Sequence, residues 1–93
     1  MITIQLSQFG KELRTRHLAK EIRDGLDLSQ NIVFDFQGTD LVTHSFCDEL
    51  LGVLFFEQSQ EFFKNKLSFR NVSEDIKAII RRTIQSRKEM LAA

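Results

Sequence analysis

The chain has 93 residues, with 13 Lys or Arg balanced by 13 Asp or Glu, so its formal charge is zero. That length holds one small domain, residues 1–93, and the neutral balance argues against nucleic acid as a partner, because phosphate binding needs a basic surface. One cysteine leaves no internal disulfide and points to a reducing cytoplasm, and no apolar stretch approaches the roughly 20 residues that span a bilayer. The opening "MITIQLSQFG" lacks the basic end and apolar core of a secretory leader. A domain of this size buries only about 60–65% of its unfolded surface, so association with a partner or with a second copy would help it.

Ile2, Ile4 and Leu6 alternate with polar residues and predict a first strand. From Gln8 to Leu26 the spacing of Phe9, Leu13, Leu18, Ile22 and Leu26 predicts an amphipathic helix, with Ser7 as its N-cap and Gly25 near its end. "NIVFDF", Asn31–Phe36, is a short continuous apolar run that suits a strand covered on both faces. Gly38 and Asp40 supply turn chemistry, and Ser45 is placed to cap a second helix from Phe46 to about Gln58. The apolar stripe of that helix is too wide for an ordinary surface helix, so it is either deeply buried or at an interface. Residues 57–65 read as helix or loop. "KLSF", Lys66–Phe69, predicts a third strand. Ser73 caps a long last helix that has Glu74 and Asp75 in its first turn and Arg87 and Lys88 near its end, as the helix dipole favours. Lys77, Arg81, Arg82 and Arg87 fall mostly off its apolar stripe. The order βαβαβα implies an α/β fold, a mainly parallel three-stranded sheet with strand order 2-1-3 in two or three layers.

The residues that could carry chemistry crowd the second helix start. Ser45 and Asp48 fit the S-x-x-[DE] capping pattern, and a serine at a helix mouth is also an exposed site for phosphorylation. Thr43 is the second phosphorylation candidate. Asp48 and Glu49 are adjacent and point apart on a helix, a poor acid/base pair but favourable charge at a helix N-terminus. His44 and Cys47 offer two zinc donors, yet there is no second Cys and His17 lies on another helix, so no metal and no cofactor is expected. Cys47 falls on the apolar stripe as a small packed residue. Asp35, at a strand end where open α/β sheets place ligands, is either functional or a structural partner of Arg16 or Arg14. No glycine-rich phosphate loop or nucleophile elbow is present, and no enzyme activity is expected.

"QFGKELRTRHLAKEIRDGL", "VFDFQGTDLVTHSFCDELLG" and "FRNVSEDIKAIIRRTI" together resemble a bacterial STAS-like domain family of unknown function, itself similar to anti-sigma factor antagonists. The resemblance runs over roughly Ile2 to Ile84 and implies a STAS-like domain that works by docking. It implies a protein partner, a GHKL-type ATPase or kinase, and a serine switched by phosphorylation at the start of the second helix, nearest to Ser45. The antagonists carry D-S-[ST]-G where this chain has Thr43-His44-Ser45-Phe46, so gapless alignment through Asp35 puts His44 at the phosphorylated position and Ser45 one residue later. Asp40, Thr43, His44, Ser45, Asp48 and Glu49 are the expected partner-binding residues. The alternative is a self-associating domain, a homodimer held by the Phe-rich stretch Phe46–Phe63, with no switch.

Overall fold

The structure is a computed structural model that describes residues 1–92. Strand β1 (Ile2–Gln5) pairs in parallel with β3 (Ile32–Asp35), and β3 pairs in parallel with β5 (Leu67–Arg70). The sheet order is therefore β1-β3-β5, with the three strands in chain order, and not the expected 2-1-3. Burial is the reason. All four residues of β3 are buried, whereas Thr3, Ser68 and Arg70 of its neighbours are exposed, so the apolar run takes the centre.

This order also sets the layering. Right-handed crossovers that step the same way across a parallel sheet put their helices on the same face. Ile32, Phe34 and Phe36 point into the core that these helices cover, joined by Ile4 and Phe69. The rings of Phe34 and Phe69 stack at 6.2 Å. The other face carries Thr3, Gln5, Ser68 and Arg70 around Val33, and the fold has two layers.

The first connection departs from the expected single helix. Leu6–Phe9 is a 3-10 turn, and Gly10 follows at φ 132°, a conformation that side chains disfavour. The chain then forms β2 (Glu12–Leu13), which pairs in parallel with β4 (Leu41–Val42) in a second small sheet. Helix α1 (Arg16–Asp24) begins only there, capped by Thr15, whose Oγ1 accepts from the Leu18 amide at 3.1 Å; Ser7 does not cap it. Leu13 is thus buried as a strand residue.

The second connection is α2 (His44–Cys47), a π-helical turn over Asp48–Gly52, and α3 (Val53–Glu57). These run as one rod, since Cys47, Asp48, Gly52 and Val53 all keep right-handed helical torsions. Its wide apolar stripe is deep core: Phe46, Cys47, Leu50, Leu51, Leu54 and Phe55 are all buried. Ser59 caps α4 (Gln60–Asn65), so the ambiguous segment is mostly helix. Ser73 caps α5 (Glu74–Ala92) as expected, its Oγ accepting from the Ile76 amide at 3.2 Å. Helix α5 buries Ile76, Ile80 and Thr83 against the rod.

Candidate functional site: the mouth of the second helix

The chain leaves β4 and enters α2 at Thr43, which the small sheet holds in place. The Thr43 amide donates to the Leu13 carbonyl at 2.9 Å, and its Oγ1 donates to the Arg14 carbonyl at 2.8 Å. The same oxygen accepts from the Phe46 amide at 3.1 Å, so Thr43 is the N-cap and Ser45 is not. A cap fixed by a long-range bond outcompetes a nearby serine with only local bonds to make. Ser45 lies inside the first turn, exposed, and its hydroxyl makes no hydrogen bond among the described residues. Thr43→Ala is expected to cost about 1 kcal/mol by chemical denaturation, and Ser45→Ala close to nothing. Equal losses would contradict this assignment.

His44 is exposed next to Ser45, and Asp40, also exposed, stands at the other end of β4 with its amide tied to the Lys11 carbonyl at 2.8 Å. Asp48 and Glu49 follow three and four residues after Ser45, the spacing that shares a helix face. Both carboxylates are already engaged. Arg87 of α5 grips Asp48 with two bonds of 2.9 Å, from Nε and Nη2, and Arg16 of α1 adds a third at 3.0 Å. Glu49 pairs with Arg23 at 2.7 Å, and Arg23 also donates to the Glu49 carbonyl. Arg16 stands 4.0 Å from Glu49 and is the exposed member of the set, at 53% against 13% for Arg87 and 11% for Arg23. The hydrogen bonds from Arg87, then those from Arg16, hold the Asp48 carboxyl below the usual range.

Gly52 completes this grip. A Cβ at position 52 would lie 2.7 Å from Asp48 Oδ1 and 2.8 Å from Arg87 Nε, so the ion pair runs over the bare glycine. The Arg87 guanidinium also sits 4.4 Å from the ring centre of Phe56. The π turn spans Asp48 to Gly52, the two ends of this contact, in keeping with the placement of such turns at functional positions.

Asp35 does not meet Arg14 or Arg16. Its carboxylate accepts from Asn71 Nδ2 and from the Gln37 amide, each at 2.9 Å, and the Asn71 bond leads in holding its pKa down. Asn71 reaches it from a left-handed φ of 57°, which asparagine tolerates. Arg16 spends its charge on Asp48, and Arg14 on Glu12. Cys47 is buried, and burial followed by the Asp48 charge pushes its thiol up to about 12, so it stays protonated and unreactive at neutral pH. Among the described residues no three His, Cys, Asp or Glu side chains group as a metal site, and no helix is long and apolar enough to cross a membrane.

The structure therefore brings Thr43, His44, Ser45, Asp48 and Glu49 to one helix mouth, with Asp40 before β4 and Asp35 apart from them in its own network. Sequence reasoning missed Arg23, Arg87 and Gly52. A glycine inside an otherwise apolar helix was the signal, because it marks a close approach.

The fold and this mouth define a small two-layer α/β domain whose second connecting helix opens after the central strand. The chain belongs to the family described as STAS-like domain of unknown function (DUF4325), whose model matches residues 10–77. That span runs from Gly10 to the first turn of α5 and contains the mouth apart from Arg87. No curated protein and no solved structure matches the chain.

Proposed function

We propose that this chain is a non-catalytic docking module that meets a protein partner at the mouth of α2 and is switched there by phosphorylation of Ser45. The observation that carries the reading is the exposed, unbonded Ser45 hydroxyl on a turn whose cap is supplied by Thr43. Modifying it disturbs no bond of the fold. Thr43 and His44 flank it as the contact surface, Asp40 at the start of β4 extends that surface, and Asp48 and Glu49 lie on its helix face. The inert Cys47 thiol beside them supports docking over nucleophilic chemistry. The partner suggested by the family's likeness to anti-sigma factor antagonists is an ATPase or kinase of the GHKL type.

A phosphoryl group adds about −1.5 to −2 charge. Asp48 and Glu49 are already neutralised by Arg16, Arg23 and Arg87, so their repulsion of that group is damped. Arg16, bonded to Asp48 on the same helix face, is the cation of this set that solvent reaches most freely. The phosphate changes the docking surface from a neutral hydroxyl to a dianion and draws on Arg16. Capture from lysate of the native host, with mass spectrometry, identifies the partner, and titration of the purified pair then measures the switch. Ser45→Asp is expected to weaken binding about tenfold or more, some 1.4 kcal/mol, with Ser45→Ala unchanged. An Asp variant that binds as well as the parent sinks the switch. Recovery of the bait alone, as a multimer, sinks the docking reading in favour of self-association.

A further inference from the structure

A trough of about 690 Å³ runs between β5, α4 and α5, well away in sequence from residues 40–49. Its floor is apolar, made by Phe63, Phe69, Ile80 and Ile84. Arg81, Arg82 and Lys88 stand along it, and a smaller adjoining hollow of about 230 Å³ shares Phe63, Ile84 and Lys88 and adds Lys64. Among the described residues no carboxylate lines either hollow. These four cations are exposed and form no ion pair among the described residues, whereas Arg16, Arg23 and Arg87 at the helix mouth are all paired. A chain of zero net charge thus gathers unpaired positive charge around one apolar floor.

We infer that this trough is a second docking surface, for an acidic amphipathic helix of a partner protein. The apolar floor takes the partner's apolar stripe, and the rim of Arg81, Arg82, Lys88 and Lys64 takes Asp and Glu on its flanks. The trough lies open to solvent, which suits a polypeptide segment over a small molecule, since small-ligand sites enclose most of their ligand. Ile80 to Lys88 spans about 12 Å of α5, so two to three turns of helix fill it. The inference is independent of the Ser45 switch.

The test is selection of a random displayed library of peptides about 12 residues long against the intact chain, followed by fluorescence polarisation with the peptides enriched. The expected winners carry apolar residues at helical spacing between Asp and Glu. Their resonance shifts map to Ile80 and Ile84, and their affinity falls with added salt. Arg81→Glu with Arg82→Glu, both exposed and checked for folding by circular dichroism, weakens binding at least about tenfold, while Arg81→Lys with Arg82→Lys retains most of it and Ser45→Asp leaves it unchanged. Failure to enrich any peptide, winners without acidic residues, shifts mapping elsewhere, or indifference to charge reversal would each overturn the inference. So would a concentration-dependent dimer of the chain alone that charge reversal dissolves, because the occupant would then be a second copy.

Discussion

Asp48→Ala is expected to destabilise the protein by about 3 kcal/mol, lowering its melting temperature by roughly 12–24 °C for a chain of this length. The cost comes from what is left behind. Asp48 is 18% exposed and Arg87 13%, and removing the carboxylate strands the Arg87 guanidinium among packed helices with only the face of Phe56 for company. It also releases Arg16, one of the two arginines that tie α1 to the helix mouth. Asp40→Ala, an exposed carboxylate that makes no ion pair among the described residues, serves as control and should change stability by less than about 0.5 kcal/mol. The effect carries a pH signature. Because Arg87 and Arg16 depress the folded pKa of Asp48, its contribution is present above the ordinary aspartate value of about 3.9 and is lost as pH falls through the depressed one. The gap between the parent and Asp48→Asn in guanidinium melts should therefore be wide near neutrality and close in strong acid. A gap that persists in acid would mean that the carboxylate charge is not what Arg87 recognises.

Gly52→Ala is expected to cost about 2 kcal/mol, although alanine is the better helix former. Two effects compete at this position. Propensity favours alanine by about 1 kcal/mol. Against it, the new methyl would occupy the space through which Asp48 and Arg87 meet, at 2.7 and 2.8 Å from their bonding atoms. Breaking the pair outweighs the propensity gain. The sign should reverse once the pair is gone: in an Asp48→Ala background, Gly52→Ala becomes neutral or stabilising by up to about 1 kcal/mol. A double-mutant cycle measures this, with a coupling of about 2–3 kcal/mol expected. Additive penalties would show that the glycine answers to something other than the ion pair.

The elements most visible in the sequence are those whose pattern is local. The alternation at Ile2–Gln5, the apolar run of β3 and the Ser73 cap each fall where the sequence places them, because each records burial or capping within a few residues. Phe9 and Leu13 misled because a spacing of four fits a helix as well as a turn followed by a strand. Gly10 between them marked the break. Strand order was hidden, since a strand's neighbours are set by the whole sheet, though the two-sided burial of Ile32–Asp35 pointed to the centre. At the helix mouth, Thr43 and Ser45 are equally competent caps by type, and the bond from Thr43 to the Arg14 carbonyl, 29 residues away, decides between them. The pairing of Asp48 with Arg87 bridges 39 residues and joins two helices whose contact no local pattern announces.

That separation has a consequence for how the molecule comes into being. At a ribosomal pace of about 5–20 residues per second, Arg87 is made roughly 2–8 seconds after Asp48. For the first part of that interval β3 lacks its β5 neighbour, and throughout it the carboxylate of Asp48 lacks its principal counter-charge. The surface around Ser45 therefore acquires its final shape only after Arg87, 39 residues behind Asp48, has left the ribosome.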